Sequence, residues 1–537
     1  MRPYDGPSAA GAQRSSLTGK VMCGYQGWFT TPNDGSGKGW NHFASHGRFK
    51  PGSCCIDLWP DVSELEADEK YATPFRYENG RTAHVFSSHN RKTVLRHFRW
   101  MQAYGIDGVF VQRFGVETLH PINLRHCNTV LAHCREGANR SQRSYAVMYD
   151  LSLLPAGGLQ HVVEDWKLLV DRMRIGRDPK DKAYLHHNGK PVVAVWGIGF
   201  NDRRRYSLAE CERLVDFLKL DKRYGGNTVL LGVPTGWRTL DADSVKDPAL
   251  HKIVGKGDII SPWTVGRYGT LKAVHDHAQL RWAKDAAWCK AHGKDYLPVV
   301  FPGFSWHNMK PTARFNEIPR LKGRFLWTQY VEAKRSGATM IYQAMFDEMD
   351  EGTAIFKCTN DPPVGKSRFL TYERLPSDHY LWLTGMGGKL LRGEIKTSGE
   401  LPERDQGSTR KLRQLSPSGN VASTQSDSLP CHSWSIPRIK RAQSNSTEPA
   451  GNRARSSKKL DSTHSTAKGS TFQVKLRSSR PSNRPGCAVT EYPNDPFSRN
   501  LEASPSELKI DVCGKSGTTW PSTAKCVRRS SLSRTIR

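Results

Sequence analysis

Between residues 20 and 345, apolar runs alternate with segments of helical spacing. The apolar runs cover 20–29, 108–113, 145–149, 191–197, 228–233, 258–262, 296–301 and 339–345. They are apolar throughout rather than alternating, as expected of parallel strands buried on both faces. The spacing predicts helices over 92–104, near 121–134, and over 159–173, 207–220, 273–292 and 320–336. Val94, Leu95, Phe98 and Met101 form the buried stripe of the first, and Gly105 closes it. Ser207 followed by Glu210 is a capping-box signature. Strands alternating with helices in this way predict an α/β fold, a (β/α)8 TIM barrel with long loops over 20–355. A doubly wound open sheet is the alternative. No GxGxxG follows a strand, which argues against a dinucleotide-binding version.

After about residue 393 the periodicity ends. Residues 397–537 are rich in Ser, Arg, Lys, Thr and Pro, with sparse large apolar residues. Such a composition cannot bury enough to offset its ordering entropy, so a disordered tail is expected. The expected organisation is a barrel domain over 4–390 and this tail over 397–537. The chain carries 80 Lys and Arg against 51 Asp and Glu, a formal charge of +29. The charge is expected to concentrate in the tail, which would bind polyanions without specificity, have no function, or be the product of translation past a frameshift. No stretch is long and apolar enough to span a membrane, and residues 1–20 lack the apolar core of a secretory signal. The twelve cysteines show no zinc-site spacing and read as buried free thiols. No metal or cofactor is expected, no specific nucleic acid and no membrane partner. The expected state is a monomer acting on an oligo- or polysaccharide.

The chemistry concentrates where the last strand ends. Residues 338–357 begin apolar and then place Asp347, Glu348, Asp350 and Glu351 within five residues, followed by Gly352. Carboxylates crowded at the end of a buried strand repel one another and cost desolvation energy. A catalytic cluster and a solvated acidic loop are both compatible with that pattern. In a barrel all strand ends face one mouth. Strand ends including Gln112, Trp196, Thr235 and Trp237 are expected there, and the residues expected to bind substrate at this mouth are Tyr25, Trp28, Trp59, Arg113, Tyr149, Asp150, Trp263, Trp306, His307 and Asp347. Indoles that stack on sugar rings, beside acids that transfer protons, suit a carbohydrate. A barrel that binds sugar without cleaving it, and a polyanion-binding protein driven by the tail, are the competing readings.

The stretch Phe346-Asp-Glu-Met-Asp-Glu-Gly-Thr-Ala-Ile355 resembles the Asn-Glu-Trp-His-Glu-Gly-Thr-Gln-Ile motif of the endo-α-1,2-mannosidase-like glycoside hydrolases of family 99. More distantly it is similar to the α-1,3-glucanases of family 71. Gly24-Tyr-Gln-Gly-Trp-Phe29, Asp57-Leu-Trp-Pro60, residues 101–109 and residues 188–197 add weaker matches in the expected order. The resemblance implies a (β/α)8 barrel and a retaining, endo-acting α-glycosidase without a metal, from a family often exported. It implies Glu348 as the base on the sugar 2-hydroxyl and Glu351 as the acid on the leaving oxygen, through a 1,2-anhydro sugar. Asp347, Met349 and Asp350 stand where the motif has Asn, Trp and His. The resemblance thus carries the reaction class further than the sugar.

Overall fold

The computed structural model describes residues 1–404. Nine short parallel strands build the barrel wall. They are β1 (Val21–Tyr25), β2 (Gly108–Phe114), β3 (Ser144–Asp150), β4 (Lys190–Trp196), β5 (Thr228–Val233), β6 (Ile259–Pro262), β7 (Asp295–Tyr296), β8 (Val299–Val300) and β9 (Ile341–Gln343). From β1 to β6 each strand pairs in parallel with the next. β7 pairs with β6, β8 pairs with β9, and β9 pairs with β1. Thus β7 and β8 are the two halves of the run read as one strand at 296–301. The break falls at Leu297-Pro298, whose backbone still holds both neighbours. Leu297 N donates to Ile260 O (2.9 Å) and Tyr342 N to Pro298 O (3.0 Å). The ring is closed, and the fold is the TIM-like α/β barrel.

The helices lie outside: α1 (Arg91–Tyr104), α2 (Pro121–Arg140), α3 (Leu159–Leu168), α4 (Leu208–Leu220), α5 (Ala249–Lys256), α6 (Leu271–His277), α7 (Ala283–Ala291), α8 (Arg324–Arg335) and α9 (His379–Arg392). Local chemistry sets several of their ends. Gly105 closes α1 at φ 73°, a left-handed conformation that costs glycine little. The Ser207 hydroxyl accepts from Glu210 N while Glu210 Oε2 accepts from Ser207 N, capping α4. α6 and α7 are joined through a π-helical turn at 278–282, so the single helix expected over 273–292 is locally underwound.

Strand side chains alternate between the barrel interior and the helix layer, and particular contacts fix the parity here. Tyr25 donates or accepts at His97 of α1, and Gln343 Oε1 accepts from Tyr330 of α8, so both point outward. Gly24 and Tyr342 point inward. A Cβ on Gly24 would lie 2.1 Å from Met345 Cε and 2.2 Å from Tyr342 Oη. Only glycine at this position leaves room for those two side chains in the barrel interior.

The excursion from β1 to α1 carries an antiparallel hairpin, Tyr71–Arg76 with Thr82–Val85, which the apolar pattern does not reveal. Most of the expected tail, 405–537, lies outside the described residues. Its first residues are seated on the barrel. Trp327 Nε1 donates to Ser398 O (3.1 Å), and Arg404 grips Asp378 with both guanidinium ends at 2.8 Å. Among the described residues no helix is long and apolar enough to cross a membrane.

Candidate active site

The acidic turn follows β9 directly and is lashed in place by backbone bonds. Phe346 N donates to Gly24 O (2.7 Å), and Thr353 N and Ala354 N both donate to Glu348 O. Ser305 N, from the segment after β8, donates to Glu351 O (3.0 Å). Gly352 sits at φ 62°, and a Cβ there would be 3.0 Å from Ser305 N and O. A larger residue would push the turn off Ser305.

Glu348 is 4% exposed. Its Oε1 accepts from Gln26 Nε2 (2.6 Å) and its Oε2 from the Thr353 hydroxyl (2.6 Å). Burial pushes its carboxyl well above the usual carboxylate range, and the charges of Glu351 and Asp350 push it further. Thr353 and Gln26 pull the other way. Asp347 is fully buried, and its two oxygens accept from the backbone N–H groups of Gln26 and Gly27, each at 2.8 Å. Burial raises Asp347 to about 7 despite those bonds. Its role is positional: it clamps the loop that presents Gln26 to Glu348. Asp350 turns away and meets His42 Nδ1 at 2.8 Å. The His42 ring lies flat on Trp28, with centroids 3.7 Å apart.

A polar and aromatic bowl extends from Glu348 across the mouth. Gln112 Nε2 donates to the Tyr342 hydroxyl (2.8 Å), and Glu348 is among the charges that raise Tyr342 after burial itself. Trp263 stands edge-on to Tyr342 and to Trp196, at 6.3 and 5.4 Å. Gly232 makes the room for Trp196, since a Cβ there would lie 2.4 Å from its Cδ1. Arg204 covers Trp196 at 5.0 Å and partly offsets the burial that raises Asp150. Three buried polar atoms of this bowl have no partner among the described residues: Gln26 Oε1, Gln112 Oε1 and Trp196 Nε1.

Residues 267–390, which include the acidic turn, match the family model for glycosyl hydrolase family 99. Over this segment the chain is similar to family 99 hydrolases. The family 99 endo-alpha-mannosidase from Bacteroides thetaiotaomicron, solved with bis-tris propane, shares the fold at 18% identity and a TM-score of 0.51. That comparison covers 70% of this chain and 99% of that one. A second structure of a family 99 endo-alpha-mannosidase from the same organism gives 19% identity, TM-score 0.50 and the same coverage. No curated protein sequence matches. The segment that matches is similar to a family of glycoside hydrolases.

Within this barrel the expected mouth residues separate. Glu348, Glu351, Asp150 and Trp263 gather at the strand ends, with Asp347 buried just behind. Four others lie elsewhere, which corrects their expected placement. Arg113 and Tyr149 point into the helix layer, where both bond Asp165 of α3 at 2.5–2.6 Å. Tyr25 is buried against His97, Phe98 and Phe346. Trp59 is buried among Phe49, Phe75 and Phe369 beneath the hairpin. Trp28 is 7% exposed and backs His42. Trp306 lies at the rim with Lys310 Nζ 3.5 Å from its ring centroid, so a cation occupies that face. His307 bonds the Ala313 carbonyl, and its N–H donates to Asp57.

The expected substrate-binding set omitted Gln26, Gln112, Trp196 and Arg204, although Gln112 and Trp196 stand among the strand ends expected at the mouth. Gln112 and Trp196 were legible from parity, being in phase with Gly24 and Tyr342. Gln26 follows in the same phase. Arg204, on an irregular loop, carried no such signal. Asp57 is a further structural acid. It accepts from the Ser305 hydroxyl, His307 N and Asn308 N, tying the first loop to the segment after β8.

Proposed function

We propose that the protein is a retaining, endo-acting hydrolase of an α-linked polysaccharide, with Glu348 and Glu351 as its working pair. The observation that carries this reading is the environment of Glu348. It is a buried carboxyl at the barrel mouth, held by an amide and a hydroxyl, with its proton affinity raised. Such a group holds a proton more tightly than an ordinary carboxylate and can accept one and return it. Ionised Glu348 takes the proton of the sugar 2-hydroxyl as that oxygen attacks C1. The C1–O bond to the leaving sugar breaks, and Glu351 protonates the departing oxygen. Water then opens the 1,2-anhydro ring: Glu351 takes the water proton, and Glu348 returns its proton to O2. Two inversions at C1 give net retention. Gln26 Oε1, Gln112 Oε1 and Trp196 Nε1 supply unpartnered polar atoms for sugar hydroxyls, and Trp263 supplies an apolar face.

The test is a turnover screen on α-linked manno- and gluco-oligosaccharides with wild type, Glu348→Gln and Glu351→Gln. Each substitution should lower kcat on the order of 10²–10⁴-fold. A leaving group that needs no protonation should restore part of the rate to Glu351→Gln and none to Glu348→Gln. Near wild-type turnover by both variants would make the carboxylates structural and end this reading.

A further inference from the structure

The basic excess is not confined to the C-terminal segment. Residues 1–404 alone contain 57 Lys and Arg against 42 Asp and Glu. On much of the surface these cations face acids, as Lys92 faces Glu66 and Asp68, and Lys256 faces Glu212 and Asp216. One side of the mouth differs. The stretches 45–53, 306–317 and 364–368 carry Arg48, Lys50, Lys310, Arg314, Lys366 and Arg368 against a single acid, Glu317. All but Lys310 are exposed.

These three stretches form one surface. Gly52 N donates to the Ser367 hydroxyl (2.9 Å), and a Cβ on Gly52 would touch Lys366 Cβ at 3.3 Å. Asn308 Nδ2 donates to Arg368 O (2.6 Å), and the Arg368 guanidinium lies 4.1 Å from the Phe315 ring centroid. Asp57 anchors the 306–308 backbone. The surface also joins the catalytic turn, because Ser305 N bonds Glu351 O. A fixed cluster of like charges at a cleft edge raises the local concentration of opposite charge and steers it inward.

We propose that this rim binds negatively charged groups on the glycan, so that the substrate is an anionic α-linked polysaccharide bearing carboxylate, sulfate or phosphate esters. The proposal rests on the hydrolase reading and adds the charge of the substrate to it. The five exposed cations, with one acid among them, repel one another, and an anionic chain laid across them relieves that cost.

The experiment uses the full chain in the Glu348→Gln background, so that binding is read without turnover. Probes are one neutral α-mannan and the same polymer carboxylated, sulfated or phosphorylated. At low salt the charged polymers should bind at least about tenfold more tightly than the neutral one, and the preference should fade as salt screens it. Lys50→Glu/Arg314→Glu/Lys366→Glu should abolish the preference and leave neutral binding and the melting temperature unchanged. The three arms identify which anionic group is read. Equal binding of neutral and charged polymers overturns the proposal, as does a preference that survives the triple substitution. Binding of duplex DNA that depends on the rim, without any glycan preference, also overturns it. Rim-dependent glycan binding by a wild-type enzyme that cleaves none of these polymers would instead refute the hydrolase reading and leave the rim standing. The salt dependence of wild type alone gives a second readout should the triple variant not fold.

Discussion

Two buried carboxylates on opposite sides of the barrel wall behave differently. Asp165, in the helix layer, takes Nε and an Nη of Arg113 at 2.5 Å each, and the Tyr149 hydroxyl at 2.6 Å. Its charge is matched, and the pair ties α3 to β2 and β3. Glu348, at the mouth, receives an amide and a hydroxyl, and its carboxyl is raised far above its ordinary range. A buried acid facing a guanidinium has its charge paired and does structural work. One held by neutral donors, with other acids beside it, has its proton affinity raised. The same residue chemistry therefore gives a rivet on one face of the sheet and a proton carrier on the other.

The largest effect expected from this contrast is on rate. Glu348→Gln should lose turnover on the order of 10²–10⁴-fold yet keep or raise the melting temperature, because it removes a carboxyl whose ionisation burial opposes. Asp165→Asn should do the reverse. It leaves the Arg113 guanidinium buried without its counter-charge, a loss of about 3–5 kcal/mol in denaturant unfolding, while kcat of the folded fraction stays near wild type. Comparable rate losses in both would break the comparison. The smallest effect concerns the C-terminal segment. Removing 405–537 should leave barrel stability and kcat unchanged. Cutting after Lys396 also removes the bidentate Arg404–Asp378 contact and the Ser398 acceptor of Trp327, and should lower stability by about 1 kcal/mol. Equal melting temperatures for the two truncations would show that residues 397–404 add nothing.

Much of the barrel was legible because its signals are local. The strand at Thr228–Val233 and the Ser207–Glu210 cap lie where the pattern places them. The run 296–301 concealed a break, since Pro298 interrupts pairing without interrupting hydrophobicity. The mouth was legible only in part. Tyr149-Asp150 and Gln112-Arg113 are sequential pairs on strands, and period-two geometry allows only one member of each to face the interior. Choosing Arg113 over Gln112 followed charge where phase was the better guide. Trp59 misled for another reason: its loop turns back under the hairpin Tyr71–Arg76/Thr82–Val85, a tertiary contact with no local signature. Gln26 was overlooked as a neutral residue, although the acids after β9 require donors and its loop follows the neighbouring strand.

On this reading Glu348 works as an ionised base whose proton affinity is raised by its surroundings. The most direct measurement is the pH dependence of kcat/KM for wild type and Thr353→Val on one cleaved oligosaccharide. A base acts when ionised, so the rate should rise with pH through the carboxyl's midpoint. That midpoint should lie well above the ordinary glutamate value of about 4.3. The Thr353 hydroxyl favours the ionised form, so its removal should move the rise to still higher pH. A wild-type midpoint in the ordinary carboxylate range, or one that Thr353→Val does not move, would contradict the account.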